Sequence, residues 1–258
     1  MAVPGNKVPA GAPAGLADTE LFAVDAYLRE FDSPVLEVDT DGRRVALART
    51  AFYPGGGGQP HDLGALTWSD GGNTVVRVRR EGDRIWHWLD GAELPDPGAE
   101  VHGELDWSRR HLLMRTHTAL HILCGVIWSE FQIPVTGGNM EPGKGRLDFP
   151  FESMSAELGQ RVEGRVNEEI EKARDILVAF LGRTTADSDP ALIRTSANLI
   201  PREIDPLRVI DIVGLDRQAD GGTHVASTAD VGRIAVTGTE SKGKGNKRIR
   251  LEVRDREA

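Results

Sequence analysis

Hydrophobic and polar positions change period near the middle of the chain. Before residue 106 they alternate in short runs. Val35-Leu-Glu-Val-Asp and Arg44-Val-Ala-Leu-Ala flank Thr40-Asp41-Gly42, a hairpin signal because Asp-Gly tolerates positive φ. Thr74-Val-Val-Arg-Val-Arg alternates, turns through Glu81-Gly82-Asp83 and returns as Ile85-Trp-His-Trp-Leu. The Pro/Gly stretch Leu94 to Gly98, followed by Val101-His-Gly-Glu-Leu, closes this half. Short strands with regular turns predict a small barrel or sandwich.

From Asp106 the spacing becomes helical. Ser108 is the expected cap of a helix carrying Leu112, Ala119, Leu120, Leu123 and Ile127 on a wide apolar stripe. Leu158, Val162, Val166 and Ile170, four residues apart, predict a second helix from about Ser155 to Phe180. Strands follow at Leu207 to Val213 and Arg248 to Val253. The expected class is α+β. Residues 1–19 read as a disordered lead-in, 20–105 as a β-barrel domain with a glycine-rich loop, and 106–258 as an α/β domain of long helices on a sheet.

Composition narrows the partners. The chain has 258 residues, 39% hydrophobic and 28% charged, which suits a soluble globular protein without a transmembrane run. Its single cysteine, Cys124, rules out an intramolecular disulfide and fits a reducing cytoplasm. A formal net charge of -9 argues against indiscriminate coating of nucleic acid, and leaves room for one local basic face.

The candidate chemistry rests on histidines. His117 and His121 lie four residues apart within the first long helix, so one face carries both imidazoles. The Asp220-Gly-Gly-Thr-His224 segment, rich in glycine, can bring a third imidazole and a carboxylate to the same point. Such donors suit zinc, and a partly open site can hydrolyse an ester. His61, His87, His102 and His111 lack ligand spacing. Zinc peptidases carry Glu after the first histidine; here that position is Thr118. No Ser-His-Asp arrangement or activated cysteine is apparent, which favours direct attack by water.

Four motifs in this order resemble the editing domain of alanyl-tRNA synthetase: Thr116-His117-Thr-Ala-Leu-His121, Val135-Thr-Gly-Gly-Asn139, Gly-Gly-Thr-His224-Val, and Glu240 to Arg250. With no synthetase core beside them, the closer resemblance is to the free-standing alanyl-tRNA editing proteins of the AlaX type. Tyr53 to Gly64 resembles the glycine-rich motif of the longer members, which carry a β-barrel ahead of the editing domain. The resemblance implies a cytoplasmic, ATP-independent deacylase serving translation fidelity. Its implied substrate is seryl-tRNA(Ala), with glycyl-tRNA(Ala) as a second candidate, and its implied cofactor is zinc. The missing cysteine keeps open an alternative, a non-catalytic tRNA-binding module derived from an editing domain.

One departure marks this chain. Asp220 stands where the family pattern has cysteine, so Asp220, water or Cys124 is left to complete the ligand set of His117, His121 and His224. The resemblance assigns substrate recognition to Thr136, Asn139 and Thr116. A pocket that admits serine cannot exclude the smaller alanine by size and must reward the hydroxyl, a contact expected at Thr136 and worth roughly 1–3 kcal/mol. Gly55, Gly56, Gly57, Gly58, Gln59 and Asp62 read as a loop laid across the pocket. Asp148 is a candidate partner for a metal-binding histidine, or a strand-end salt bridge. Lys242, Lys244, Lys247 and Arg248 form the expected tRNA-binding patch.

Overall fold

A computed structural model describes residues 8–153, 155–195, 201–241, 243 and 245–256. The chain divides into two compact units, Met1–His111 and Leu112–Ala258.

In the first unit, strands β1 (Glu30–Asp39), β2 (Arg44–Leu47), β3 (Gly64–Trp68), β4 (Gly71–Glu81), β5 (Arg84–Leu89) and β6 (Glu100–Leu105) close into an antiparallel barrel in the order β1-β2-β5-β4-β3-β6. Alternation is the cause: Phe31, Val45, Leu66, Val78, Val101 and Leu105 point into one core with Phe52. The β1–β2 hairpin forms as expected, but its left-handed residue is Arg43 (φ 49°) rather than Asp41 or Gly42. Gly42 N–H donates to Asp39 Oδ1 at 2.9 Å, and this side-chain bond pins the turn one residue later.

His87 lies wholly buried inside the barrel, with Nε2 2.9 Å from Thr50 Oγ1 and Nδ1 3.3 Å from Val45 O. Two helical turns, α1 (Leu16–Thr19) and α2 (Leu21–Val24), precede the barrel. The expected lead-in therefore ends before residue 19. Leu16 packs on Phe22, Ala23 and Tyr53, and Thr50 N–H donates to Thr19 O at 2.9 Å.

Helix α3 spans Trp107–Phe131. It starts earlier than the Ser108 cap implied, because Asp106 Oδ1 accepts the Arg109 N–H at 3.0 Å. Every residue from Thr116 to Ile127 is buried, so α3 is a core helix over this stretch and not a one-faced surface helix.

The second unit holds two antiparallel sheets. Strands β9 (Ile176–Leu181), β10 (Leu207–Ile212) and β11 (Asp216–Ala219) are ordered β11-β10-β9; β7 (Gly137–Glu141), β8 (Lys144–Phe149), β12 (Arg233–Ser241) and β13 (Lys247–Arg254) are ordered β12-β13-β8-β7. Helix α4 (Ala156–Glu171) lays Val162, Val166 and Ile170 into the core, and short α5 (Arg183–Asp187) follows β9. Asn167 brackets the Ile234 backbone (2.9 and 3.0 Å) and Glu163 accepts Val236 N–H (2.7 Å), which covers the β12 edge.

The second predicted helix runs too far. It ends at Glu171, Ala173 takes a left-handed φ of 50°, and Ile176–Leu181 is a strand. Six consecutive apolar residues carry no period that separates a buried strand from a buried helix.

Candidate metal centre

Four donors meet in the second unit. His117 and His121 come from α3, and Asp220 and His224 from the loop after β11. One ligand atom from each lies within 4.8 Å of those from the other three. The ring centroids are 5.0 Å apart for His117–His121, 4.3 Å for His117–His224 and 4.6 Å for His121–His224. The two distant segments expected to converge do so.

The loop owes its shape to local bonds. Gly222 N–H donates to Asp220 Oδ2 at 2.7 Å, and Asp220 N–H donates to Arg208 O at 3.0 Å. The Arg208 guanidinium, on β10, donates in turn to Asp220 O (3.0 Å) and Gly222 O (2.7 Å). The Asp220 carboxylate is thus aimed inward, 3.1 Å from His224 Nε2 and 3.6 Å from His117 Nε2.

Electrostatics put His117, His224 and Asp220, though not His121, in their cation-binding forms. Burial pulls His117 down to about 4 and His224 well below the usual imidazole value. Burial pushes Asp220 upward, but His117, His224 and His121 outweigh it and hold the carboxyl well below its ordinary range. For His121, burial pulls downward while the Asp216 and Asp220 carboxylates more than offset it, leaving the value raised. Neutral imidazoles beside an ionised carboxylate are the forms that bind a metal.

The residues fit a metal on a second count. The donors must close only to the roughly 3.4 Å separations of a tetrahedral zinc site. Cys124 lies outside the donor group among the described residues, and burial pushes its thiol up. It is Asp220, not Cys124, that joins the three histidines in the group that could hold a metal ion.

The other candidates have specific partners. Thr116 is buried; its hydroxyl donates to Leu112 O at 2.7 Å and accepts Gly143 N–H at 3.0 Å, so it ties α3 to the β7–β8 turn. Thr136 is exposed, and its hydroxyl donates to Asn246 Oδ1 at 3.1 Å. Asn139 is exposed on β7, opposite Arg146 of β8.

Asp148 proves to be a salt-bridge residue. It receives Arg248 through two bonds of 2.7 and 2.8 Å and Arg146 at 3.1 Å. Arg248 is consequently buried and its guanidinium engaged, which corrects its assignment to an open phosphate-binding face. Lys247 Nζ donates to Ser241 Oγ and Gly243 O, both at 3.1 Å, and is also buried. Lys242 and Lys244 lie outside the described residues.

In the first unit, Gly55, Gly56, Gly57 and Gly58 all have positive φ (82, 134, 56 and 90°), a run that residues with a Cβ rarely adopt. Buried Asp62 is the staple of this loop. It accepts Tyr53 N–H at 2.6 Å and is forked by the fully buried Arg110 guanidinium, which also donates to Ala26 O and Ala51 O. Gln59 is buried, with backbone bonds to Gly56 of 2.9 and 3.1 Å.

Sequence reading missed Asp216, Arg208 and the contact that Thr118 makes. Thr118 Oγ1 lies 3.1 Å from His224 Nδ1. Only the position of Thr118 between two candidate ligands hinted at it.

Residues 207–250 match the family described as "Threonyl and Alanyl tRNA synthetase second additional domain", and residues 19–109 match "tRNA synthetases class II (A)". The Alanyl-tRNA editing protein AlaX-M of Saccharolobus solfataricus is 36% identical over 91% of this chain and 98% of its own. The protein of the same name from Methanosarcina barkeri is 33% identical over 91% and 98%. The alanine–tRNA ligase of Pyrobaculum neutrophilum is 36% identical over 93% of this chain but 27% of its own length. The chain belongs to the AlaX-M family of alanyl-tRNA editing proteins, related to the editing domain of alanyl-tRNA synthetase.

Proposed function

We propose that the protein is a trans-editing deacylase that hydrolyses the ester of seryl-tRNA(Ala), and secondarily glycyl-tRNA(Ala), at a zinc centre. One observation carries the reading: His117, His121, Asp220 and His224 converge in a chain that aligns with AlaX-M proteins over nearly their whole length. Zinc held by these residues supplies a Lewis acid for the ester carbonyl and for water.

The remaining work falls to the protein. His117 and His121 keep a fixed spacing because both ride on one buried helix, and Asp220 is pre-aimed by its bond to Gly222 N–H. Arg208 holds the loop carbonyls, so the donors need no reordering when the ester arrives. Thr136 offers the hydroxyl that distinguishes a seryl from an alanyl ester, with Asn246 as its present partner. The tRNA is the partner; its phosphate contacts are proposed for Lys242 and Lys244, since Lys247 and Arg248 are engaged within the protein.

A His117→Ala, His121→Ala double variant tests the reading. It is expected to lose bound metal and deacylation together. Full retained activity would defeat the catalytic assignment. Wild-type protein that binds tRNA(Ala) but never turns over the seryl ester would favour a non-catalytic module.

A further inference from the structure

Two buried side chains outside the donor set touch its imidazoles from behind. His224 turns Nε2 toward Asp220, 3.1 Å away, which leaves Nδ1 for another partner. That partner is Thr118, whose Oγ1 is 3.1 Å from Nδ1 and also accepts Val225 N–H at 3.3 Å. Behind His121 stands Asp216, its side chain wholly buried, with Oδ2 3.6 Å from the unbonded Nδ1. Gln218 donates to Asp216 Oδ2 at 2.5 Å and Arg194 approaches Oδ1 at 3.4 Å, so the carboxylate is fixed in place.

Gly125 gives this arrangement independent support. It lies one helical turn beyond His121, and a Cβ there would come within 2.9 Å of the Asp216 Cβ and 3.0 Å of Leu215. The Asp216 Cβ is fixed by its strand backbone, so the glycine leaves room for Asp216 to sit against α3.

We propose that Thr118 and Asp216 are positioning residues that set the ring orientation and tautomer of His224 and His121 for metal binding; the inference rests on the metal-centre reading above. An imidazole that gives one nitrogen to a metal carries its proton on the other, and that N–H needs an acceptor. A hydroxyl oxygen with two lone pairs serves both Val225 N–H and His224 Nδ1–H. Asp216 accepts from His121 Nδ1–H once a small ring rotation closes the gap, and its negative charge makes His121 the more basic ligand.

The test uses the full chain with Thr118→Val, Thr118→Ser and Asp216→Asn variants. Zinc affinity is measured by competition with a chromophoric chelator, and Tm is measured with and without zinc. Thr118→Val and Asp216→Asn are expected to weaken zinc binding about 10- to 100-fold and to shrink the zinc-induced rise in Tm. Thr118→Ser, which keeps the hydroxyl, is expected to recover binding to near the wild-type level. Wild-type affinity in Thr118→Val overturns the proposal, as does an equal fall in Tm with and without zinc, the mark of a purely structural role. Should Asp216→Asn fail to fold, the Thr118 pair decides alone. Wild-type protein that binds no zinc overturns the metal reading and this inference with it, whereas tight wild-type binding with unaffected variants overturns only the inference.

Discussion

Asp220 carries two burdens at once: it joins the three histidines in the candidate donor group, and it shapes the loop that presents His224. Its Oδ2 accepts Gly222 N–H while lying 3.1 Å from His224 Nε2. Asp220→Ala is therefore expected to lower metal affinity at least tenfold, read by chelator competition; unchanged affinity would remove Asp220 from the ligand set. Asp220→Cys should bind zinc more tightly than wild type, because thiolate is the softer donor. Thr136→Val is expected to reduce the preference for seryl over alanyl ester by about ten- to a hundredfold. An unchanged ratio of the two deacylation rates would take Thr136 out of recognition. The candidate donor cluster was legible because i,i+4 spacing and a Gly-Gly-Thr-His loop are local patterns. Asp216 and Arg208 were not, since each reaches the centre only through strand pairing that no local pattern records.

At the scale of elements, the glycine-rich loop and the barrel depend on buried polar groups. Arg110 and Asp62 are both essentially without solvent contact. Arg110→Met should destabilise the protein by about 3–5 kcal/mol in urea unfolding, because Asp62 is left as an uncompensated buried charge; a loss below about 1 kcal/mol would refute that role. His87 sets a pH dependence. Burial lowers it from 6.5 to about 4 in the folded barrel, so the unfolded chain binds its proton first as pH falls. Its contribution is complete above pH about 6.5 and is lost progressively toward pH 4, on the order of 3 kcal/mol over the window. His87→Gln is expected to flatten the urea-midpoint profile between these pH values, and an equally steep profile would assign the effect elsewhere. The barrel was readable from alternation, as in Thr74 to Arg79. Strands β7, β8, β11 and β12 escaped because glycine, turn and charged residues blur a period of two, as Gly137-Gly-Asn-Met-Glu shows.

For the molecule as a whole, a net charge of -9 must be reconciled with a tRNA partner. Arg248 and Lys247 do not ease that tension: cations that look free in sequence are spent on Asp148 and on the Ser241–Gly243 turn, so fewer remain for phosphates than the charge run suggests. No helix among the described residues is long and apolar enough to cross a membrane. Editing, as proposed, is a local event in which four clustered donors and one hydroxyl act on an ester. The most direct test measures bound metal and the deacylation of Ser-, Gly- and Ala-charged tRNA(Ala) on one sample, before and after chelation and again after zinc is restored. Hydrolysis of the seryl ester is expected to run well ahead of that of the alanyl ester, to be lost with the metal and to be regained with zinc. Undiminished seryl-tRNA(Ala) hydrolysis by metal-free protein would contradict that expectation.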